Sequence, residues 1–359
     1  MTLNKFVKCN KVKKIKLFKK LGDDLVQCQA CSWYCRIASG KTGICGVREN
    51  KGGELNLPVD GKTTGLSVDP IEKKPLYHFL PGSKALSFGT LGCNFGCLFC
   101  LNAWASQSPK KVKKKEQLKT LIDQCLIKLT PKQIVQAALD SGCQSIAYTY
   151  NEPAVFAEFA YETMKLAKKA NLKNIWVSNG FESKETFNLI KSYLDGINID
   201  LKSFNPEFYK KICKGKLKPV LENIKRFFKA GIWVEITTLV IPGENDSKKE
   251  LKQIAGFIKD ISSDIPWHLS AFTPDYLMKN KPRTNKEKLL EAREIGKKAG
   301  LNYVYLGNIW DLDNKYFSTY CPKCDFLLIE RSAYRTVKIM GLKKGKCRNC
   351  GIKILGIWR

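Results

Sequence analysis

Cysteine is the residue type here with both the number and the spacing to do chemistry: 15 among 359 residues, beside two histidines, His78 and His268. Three fall in one short run, Cys93-Asn94-Phe95-Gly96-Cys97-Leu98-Phe99-Cys100, a C-x3-C-x2-C spacing. A structural zinc takes four ligands. Three thiolates in one loop can instead hold three irons of a [4Fe–4S] cluster, leaving the fourth open to a substrate or cofactor. Cys321, Cys324, Cys347 and Cys350 form two CxxC knuckles, a paired pattern that reads as a zinc-ribbon-like module. A tetrahedral zinc contributes on the order of 10 kcal/mol to folding so small a unit. The amino-terminal group, Cys28, Cys31, Cys35 and Cys45, is less regular, and Gly40, Gly43 and Gly46 let its backbone wrap a metal closely. Zinc, slightly favoured, and an auxiliary iron–sulfur cluster both suit its thiolates. Cys9, Cys125, Cys143 and Cys213 read as ordinary small thiols.

The balance of 62 basic and 33 acidic residues gives a formal charge of +29, and 44% of residues are hydrophobic, as in a globular chain. Only nine of the basic residues are arginine. The densest lysine run, 110–115, has no interleaved aromatics and reads as a solvated loop, so general compositional bias is a stronger reading of the charge than nucleic acid, and long-range attraction to an anionic substrate or acidic protein still follows from it. A non-catalytic, zinc-binding nucleic-acid-binding protein is the competing class. No apolar run reaches membrane-spanning or signal-peptide length, which predicts a cytoplasmic protein without a membrane partner. In that reducing compartment clustered cysteines mean metal or redox work, since structural disulfides would not persist.

Elements that could position these residues follow from periodicity. β-branched runs predict strands at 85–89, 145–150, 174–177, 196–200, 233–241, 267–272 and 303–306, the first six each followed by a helical pattern. Repeated strand–helix alternation implies parallel strands joined by right-handed crossovers. Residues 83–310 hold about six or seven such units, which favours an incomplete (β/α) TIM-like barrel over a doubly wound sheet. No Gly-x-Gly-x-x-Gly turn follows the first strand. The expected organisation is a Cys-rich segment (1–82), a core barrel (83–310) and a zinc-ribbon-like module (311–359). In a barrel the working residues stand at the carboxyl ends of strands. Asn151 and Glu152, Ser178 and Asn179, and Asp200 and Lys202 occupy the second, third and fourth of those ends, and His268 lies on the sixth strand.

The C-x3-C-x2-C loop with Phe99 before its last cysteine resembles the radical SAM enzymes. The resemblance implies that S-adenosylmethionine binds the open iron through its amino and carboxylate groups. Reductive cleavage then gives methionine and a 5′-deoxyadenosyl radical, which abstracts hydrogen from an unidentified substrate, with a macromolecule among the candidates. It also implies that Asn151 and Glu152 approach the methionine amino group, as the Gly-Gly-Glu-like segments of the superfamily do. Ser178-Asn179-Gly180 and Asp200-Leu201-Lys202 look like segments of pyruvate formate-lyase activating enzymes that approach the ribose, the carboxylate and a cation. Those enzymes have an Asp where Val177 stands. The longer runs Gly43-Ile44-Cys45-Gly46-Val47-Arg48 and 70–82, with the loop and Tyr148-Thr149-Tyr150-Asn151-Glu152-Pro153, resemble the radical SAM enzyme of the AmmeMemoRadiSam system, a pyruvate formate-lyase activating enzyme-like family. That likeness implies anaerobic chemistry, a flavodoxin- or ferredoxin-type reductant, and AMMECR-type and Memo-like partners. Activation of a glycyl radical enzyme is the alternative within the class.

Overall fold

The computed structural model describes residues 16–358 apart from 113, 310–311 and 333–335. Cys9, Lys113 and the expected boundary at 310/311 lie outside the described residues.

One eight-stranded sheet organises the chain. Its strands are β1 (Ser67–Pro70), β2 (Lys84–Phe88), β3 (Ser145–Tyr148), β4 (Lys173–Ser178), β5 (Gly196–Asp200), β6 (Trp233–Val240), β7 (Trp267–Ala271) and β8 (Val304–Gly307). They lie side by side in chain order. β2 to β8 are mutually parallel, and β1 is an antiparallel edge strand that periodicity did not reveal. A doubly wound sheet reverses its strand order part-way. This sheet never reverses, so it is singly wound.

The strands are buried along most of their length, β3 at every residue, as expected of parallel strands covered on both faces. Between them run α1 (Pro131–Asp140), α2 (Ala157–Lys169), α3 (Lys184–Ile190), α4 (Leu217–Lys229), α5 (Lys248–Ile261) and α6 (Lys286–Lys298). α1 begins with Thr130 and Gln133 in a reciprocal capping box and Pro131 in the first turn. α2 buries Phe159, Ala160, Thr163, Met164 and Ala167, the i, i+3, i+4 stripe visible in the sequence.

The amino-terminal segment shares its core with the sheet: Val26, Ile37, Val47 and Leu55 belong to the same apolar cluster as Phe88, Tyr148 and Trp176. Arg48 locks it to α2, with Nη1 and Nη2 donating to the two carboxylate oxygens of Glu158 and Nε donating to the Val155 carbonyl. Both side chains are nearly fully buried, so a cation is paired where solvent cannot screen it.

The carboxyl-terminal residues build a small antiparallel unit, Thr319–Tyr320, Leu327–Ser332 and Thr336–Ile339, whose apolar side packs on Tyr77, Tyr303 and Tyr305. Arg331 joins it to the 71–82 segment: it is fully buried, donates to Tyr77 O (2.6 Å) and Thr319 Oγ1 (2.8 Å), and faces Glu72 Oε1 at 3.4 Å. Arg331→Ala would strand the buried Glu72 carboxyl, at a cost of about 3–5 kcal/mol. A denaturant midpoint unchanged by this substitution would contradict the linkage, and the paired variant Glu72→Gln/Arg331→Met should recover part of the loss.

Candidate active site

Seven of the eight positions singled out beside the cysteines meet around the loop that follows β2. Gly92 starts that loop in the left-handed region (φ 88°), and a Cβ there would lie 2.7 Å from the Cys45 carbonyl oxygen. Cys97 is buried, and Cys93 and Cys100 are partly so. The loop is held from its far side by main-chain bonds: Gly96 N–H donates to Cys213 O (2.9 Å) and Leu98 N–H to Ile212 O (3.0 Å). Phe95 N–H points at Cys93 Sγ (3.5 Å), and Cys100 Sγ lies 3.2 Å from Ser106 Oγ.

Asn151 is a clamp on this loop. Its Oδ1 accepts from Thr90 N–H (3.1 Å) and its Nδ2 donates to Gly92 O (2.7 Å). Asn179 Nδ2 donates to Asn94 Oδ1 (2.7 Å), tying the end of β4 to the residue after Cys93. Asp200 and Lys202 pair at 2.7 Å, and the Lys202 ammonium lies 5.7 Å from the Phe99 ring centroid. Burial opposes the charge of Lys202, but Asp200 and then Cys97 hold its pKa well above the usual lysine value.

Glu152 is buried beneath these groups and accepts from Ala154 N–H (3.1 Å) and Asn179 N–H (2.8 Å). Ser178 Oγ lies 3.0 and 3.1 Å from its two oxygens, and also bonds Glu182 Oε1. A single hydroxyl hydrogen cannot serve two carboxylates. Burial first, and then the charge of Glu182, push the Glu152 carboxyl up to about 8, and burial raises Glu182 as well. A proton therefore stays on this pair at neutral pH. Because the folded value exceeds the ordinary 4.5, the stability linked to Glu152 is full below that pH and is lost as pH rises through about 8. Glu152→Gln is expected to make the alkaline fall in melting temperature shallower; an identical pH profile for the two proteins would show that the carboxyl is ionised throughout.

Sequence reading missed Glu182, Asn94 and Lys110. Lys110 Nζ donates to Phe95 O (2.5 Å), so the lysine run is not simply a solvated loop: residues Ser108–Lys111 form a helical turn against the cysteine loop. Helix Lys115–Cys125 follows it. His268 stands apart from the loop. Its Nε2 meets Glu235 Oε2 at 2.6 Å, and Glu235 also accepts from Tyr77 and His78 N–H (2.9 and 2.8 Å), so the ring belongs to a satisfied network with the 71–82 segment.

The three loop thiols suit a cluster better than a single ion. Among the described residues, the set of three or more potential ligands whose donor atoms all lie within 4.8 Å of one another is Cys321, Cys324, Cys347 and Cys350. Cys93, Cys97 and Cys100 do not form such a single-ion set. Burial raises the pKa of Cys93 and Cys100, and for Cys97 the neighbouring Cys213 thiol contributes first, then burial. Ionised thiolates here therefore need metal to hold them.

A sequence model of the radical SAM superfamily matches residues 88–258, the stretch from this loop through α5. The chain belongs to the radical SAM superfamily. Such membership implies a [4Fe–4S] cluster, S-adenosylmethionine and a source of electrons. Over 341 residues the chain is 40% identical to the uncharacterized protein MJ0808 of Methanocaldococcus jannaschii, covering 94% of this chain and 97% of that one. It is 28% identical over 233 residues to MJ1632 of the same organism, named as a candidate glycyl-radical enzyme activating enzyme, covering 63% and 80% of the two chains. Among solved structures, a domain of the pyruvate-formate lyase-activating enzyme from Bacteroides vulgatus aligns with a TM-score of 0.40 and 20% identity, over 46% of this chain and 99% of that one. Among the described residues no helix is long and apolar enough to cross a membrane.

Proposed function

We propose that this radical SAM enzyme holds its [4Fe–4S] cluster on Cys93, Cys97 and Cys100 and abstracts hydrogen from a substrate bound at the carboxyl ends of the strands, inside a partial (β/α) barrel. The observation that carries the reading is the convergence of Asn151, Glu152, Ser178, Asn179, Asp200 and Lys202, from three successive strand ends, on one three-cysteine loop. When bound, the cluster supplies the electron that cleaves S-adenosylmethionine to methionine and the 5′-deoxyadenosyl radical.

This chain's residues bind, orient and exclude water. Asn151 fixes the loop's backbone and Asn179 holds the Asn94 side chain, so their contribution is positioning. The Glu152–Glu182 pair keeps a proton in the free protein; an α-ammonium beside it would favour the ionised pair and gain a charge-assisted bond. Lys202, cationic and only 12% exposed, is placed for a carboxylate or for the negative charge of the thiolates. The apolar wall of Phe95, Phe99 and Phe181 keeps water from a reactive intermediate.

The carboxyl-terminal set is assigned to zinc. Cys321 Sγ lies 3.5 Å from Cys350 Sγ, and Cys324 Sγ lies 3.7 Å from Cys347 Sγ. Tetrahedral zinc with Zn–S bonds near 2.3 Å needs sulfurs about 3.8 Å apart. Asn349's side chain, followed by the Phe326 backbone, holds the Cys324 thiol down at about 6, ready to ligate.

The reaction is hydrogen abstraction from the bound substrate. An acidic one-electron donor of the flavodoxin or ferredoxin type suits the charge of +29. AMMECR-type and Memo-like proteins, and a glycyl radical enzyme, are the macromolecules against which to assay it. Adding S-adenosylmethionine to the anaerobically reduced protein should change the cluster's EPR spectrum, because the ligand reaches iron directly. An unchanged spectrum at saturating ligand would contradict the open-iron reading.

A further inference from the structure

Four cysteines of the amino-terminal segment surround one largely enclosed cavity. Cys28, Cys31, Cys35 and Cys45 line it with Arg48 and Asn94. We propose that these four cysteines hold an iron–sulfur cluster, not zinc, and that this second centre shares a wall with the loop of Cys93, Cys97 and Cys100.

Geometry separates the two metals. Tetrahedral zinc draws its sulfurs to about 3.8 Å from one another, and Cys321, Cys324, Cys347 and Cys350 already meet that demand. No three of the amino-terminal thiols converge within 4.8 Å, although all four face the same cavity. Thiolates on the corners of an iron–sulfur cube stand further apart than those on one ion. The spacing agrees: this group has a single CxxC knuckle, whereas the carboxyl-terminal group has the two that a zinc ribbon uses.

The cavity also carries a donor that the protein leaves without a partner. Asn94 is 1% exposed, and its Oδ1 accepts from Asn179, but its Nδ2 has no hydrogen-bond partner among the described residues. A buried N–H2 left unpaired is destabilising. A sulfide or thiolate in the cavity would satisfy it, and hydrogen bonds to sulfur are one means by which a protein sets a cluster's potential. Arg48, fully buried in the same wall, places its guanidinium beside the thiolates while it pairs with Glu158 on its other side.

The same wall belongs to the loop already described. Asn94 directly follows Cys93, and a Cβ on Gly92 would lie 2.7 Å from Cys45 O. Trp33, between Cys31 and Cys35, donates from Nε1 to Asn94 O (2.9 Å). The segment is fixed in that place by a bridge between Cys31 and Glu182, beyond β4. Binding of a cluster by these four cysteines does not depend on how S-adenosylmethionine is used.

The test uses the full chain with Cys93→Ala, Cys97→Ala and Cys100→Ala together, reconstituted anaerobically with iron and sulfide. It should keep about four irons and four sulfides per chain, with an EPR signal on reduction that S-adenosylmethionine leaves unchanged. Adding Cys28→Ala and Cys45→Ala should remove them. An iron-free triple variant carrying two zinc ions overturns the proposal. Should the triple variant not fold, total iron in the native chain decides: about eight per chain supports a second cluster and about four excludes it. A native chain whose signal ignores S-adenosylmethionine while the triple variant keeps its iron would instead count against the proposed function alone.

Discussion

Replacing Cys97 with alanine is expected to reduce 5′-deoxyadenosine formation to background, a loss of more than about 100-fold, beyond what removal of an outer contact to a metal site costs. Cys97 is the buried member of the three loop thiols and lies at the centre of the loop, next to Cys213 and within the field of Lys202. Cys213→Ala is the informative companion. Cys213 supports the loop through its carbonyl oxygen, which accepts from Gly96 N–H, and alanine keeps that carbonyl. Its variant should therefore retain iron and most of the activity. Equal losses in the two proteins would mean that four thiols, not three, bind the cluster, and that no iron is left open for S-adenosylmethionine.

Removing the metal from the carboxyl-terminal module should have the largest effect on stability. Cys350→Ser is expected to forfeit most of a metal-binding free energy on the order of 10 kcal/mol and to unfold the module at ordinary temperature. The consequences would spread through its contacts: Leu328, Ile329 and Leu342 leave Tyr77, Tyr303 and Tyr305 exposed, and Arg331 leaves Glu72. Limited proteolysis should cut within the carboxyl-terminal unit, and the variant should bind one metal ion fewer. The loop of Cys93, Cys97 and Cys100 belongs to a different apolar cluster, so iron content should survive. Resistance to proteolysis with the metal gone would show that packing alone holds the module.

The seven parallel strands were legible because each is a short apolar run bounded by turn residues, and their common direction follows from strand–helix alternation; the unreversed chain order is seen only in the fold, because right-handed crossovers serve singly and doubly wound sheets alike. The cysteine loop was legible because its ligands are neighbours in sequence. Contacts between distant residues were not. Arg331 and Glu72 are separated by 259 positions, and neither stands out as charged residues expected inside. Glu152 and Glu182 lie on different strand ends and meet only through Ser178; two carboxylates each near an Asn or Ser read equally well as helix caps. β1 was hidden because its four residues show no clean alternation. Lysine spacing concealed Lys110, whose role depends on a carbonyl supplied by Phe95. His268 was ambiguous in sequence, since only the fold puts Glu235 opposite its ring.

A cluster on Cys93, Cys97 and Cys100 that opens S-adenosylmethionine declares itself in the products it forms. The full chain, reconstituted anaerobically and given S-adenosylmethionine and a one-electron reductant, should yield methionine and 5′-deoxyadenosine in equal amounts, dependent on all three cysteines. Iron-replete protein that binds S-adenosylmethionine and releases neither product under reduction would contradict the account.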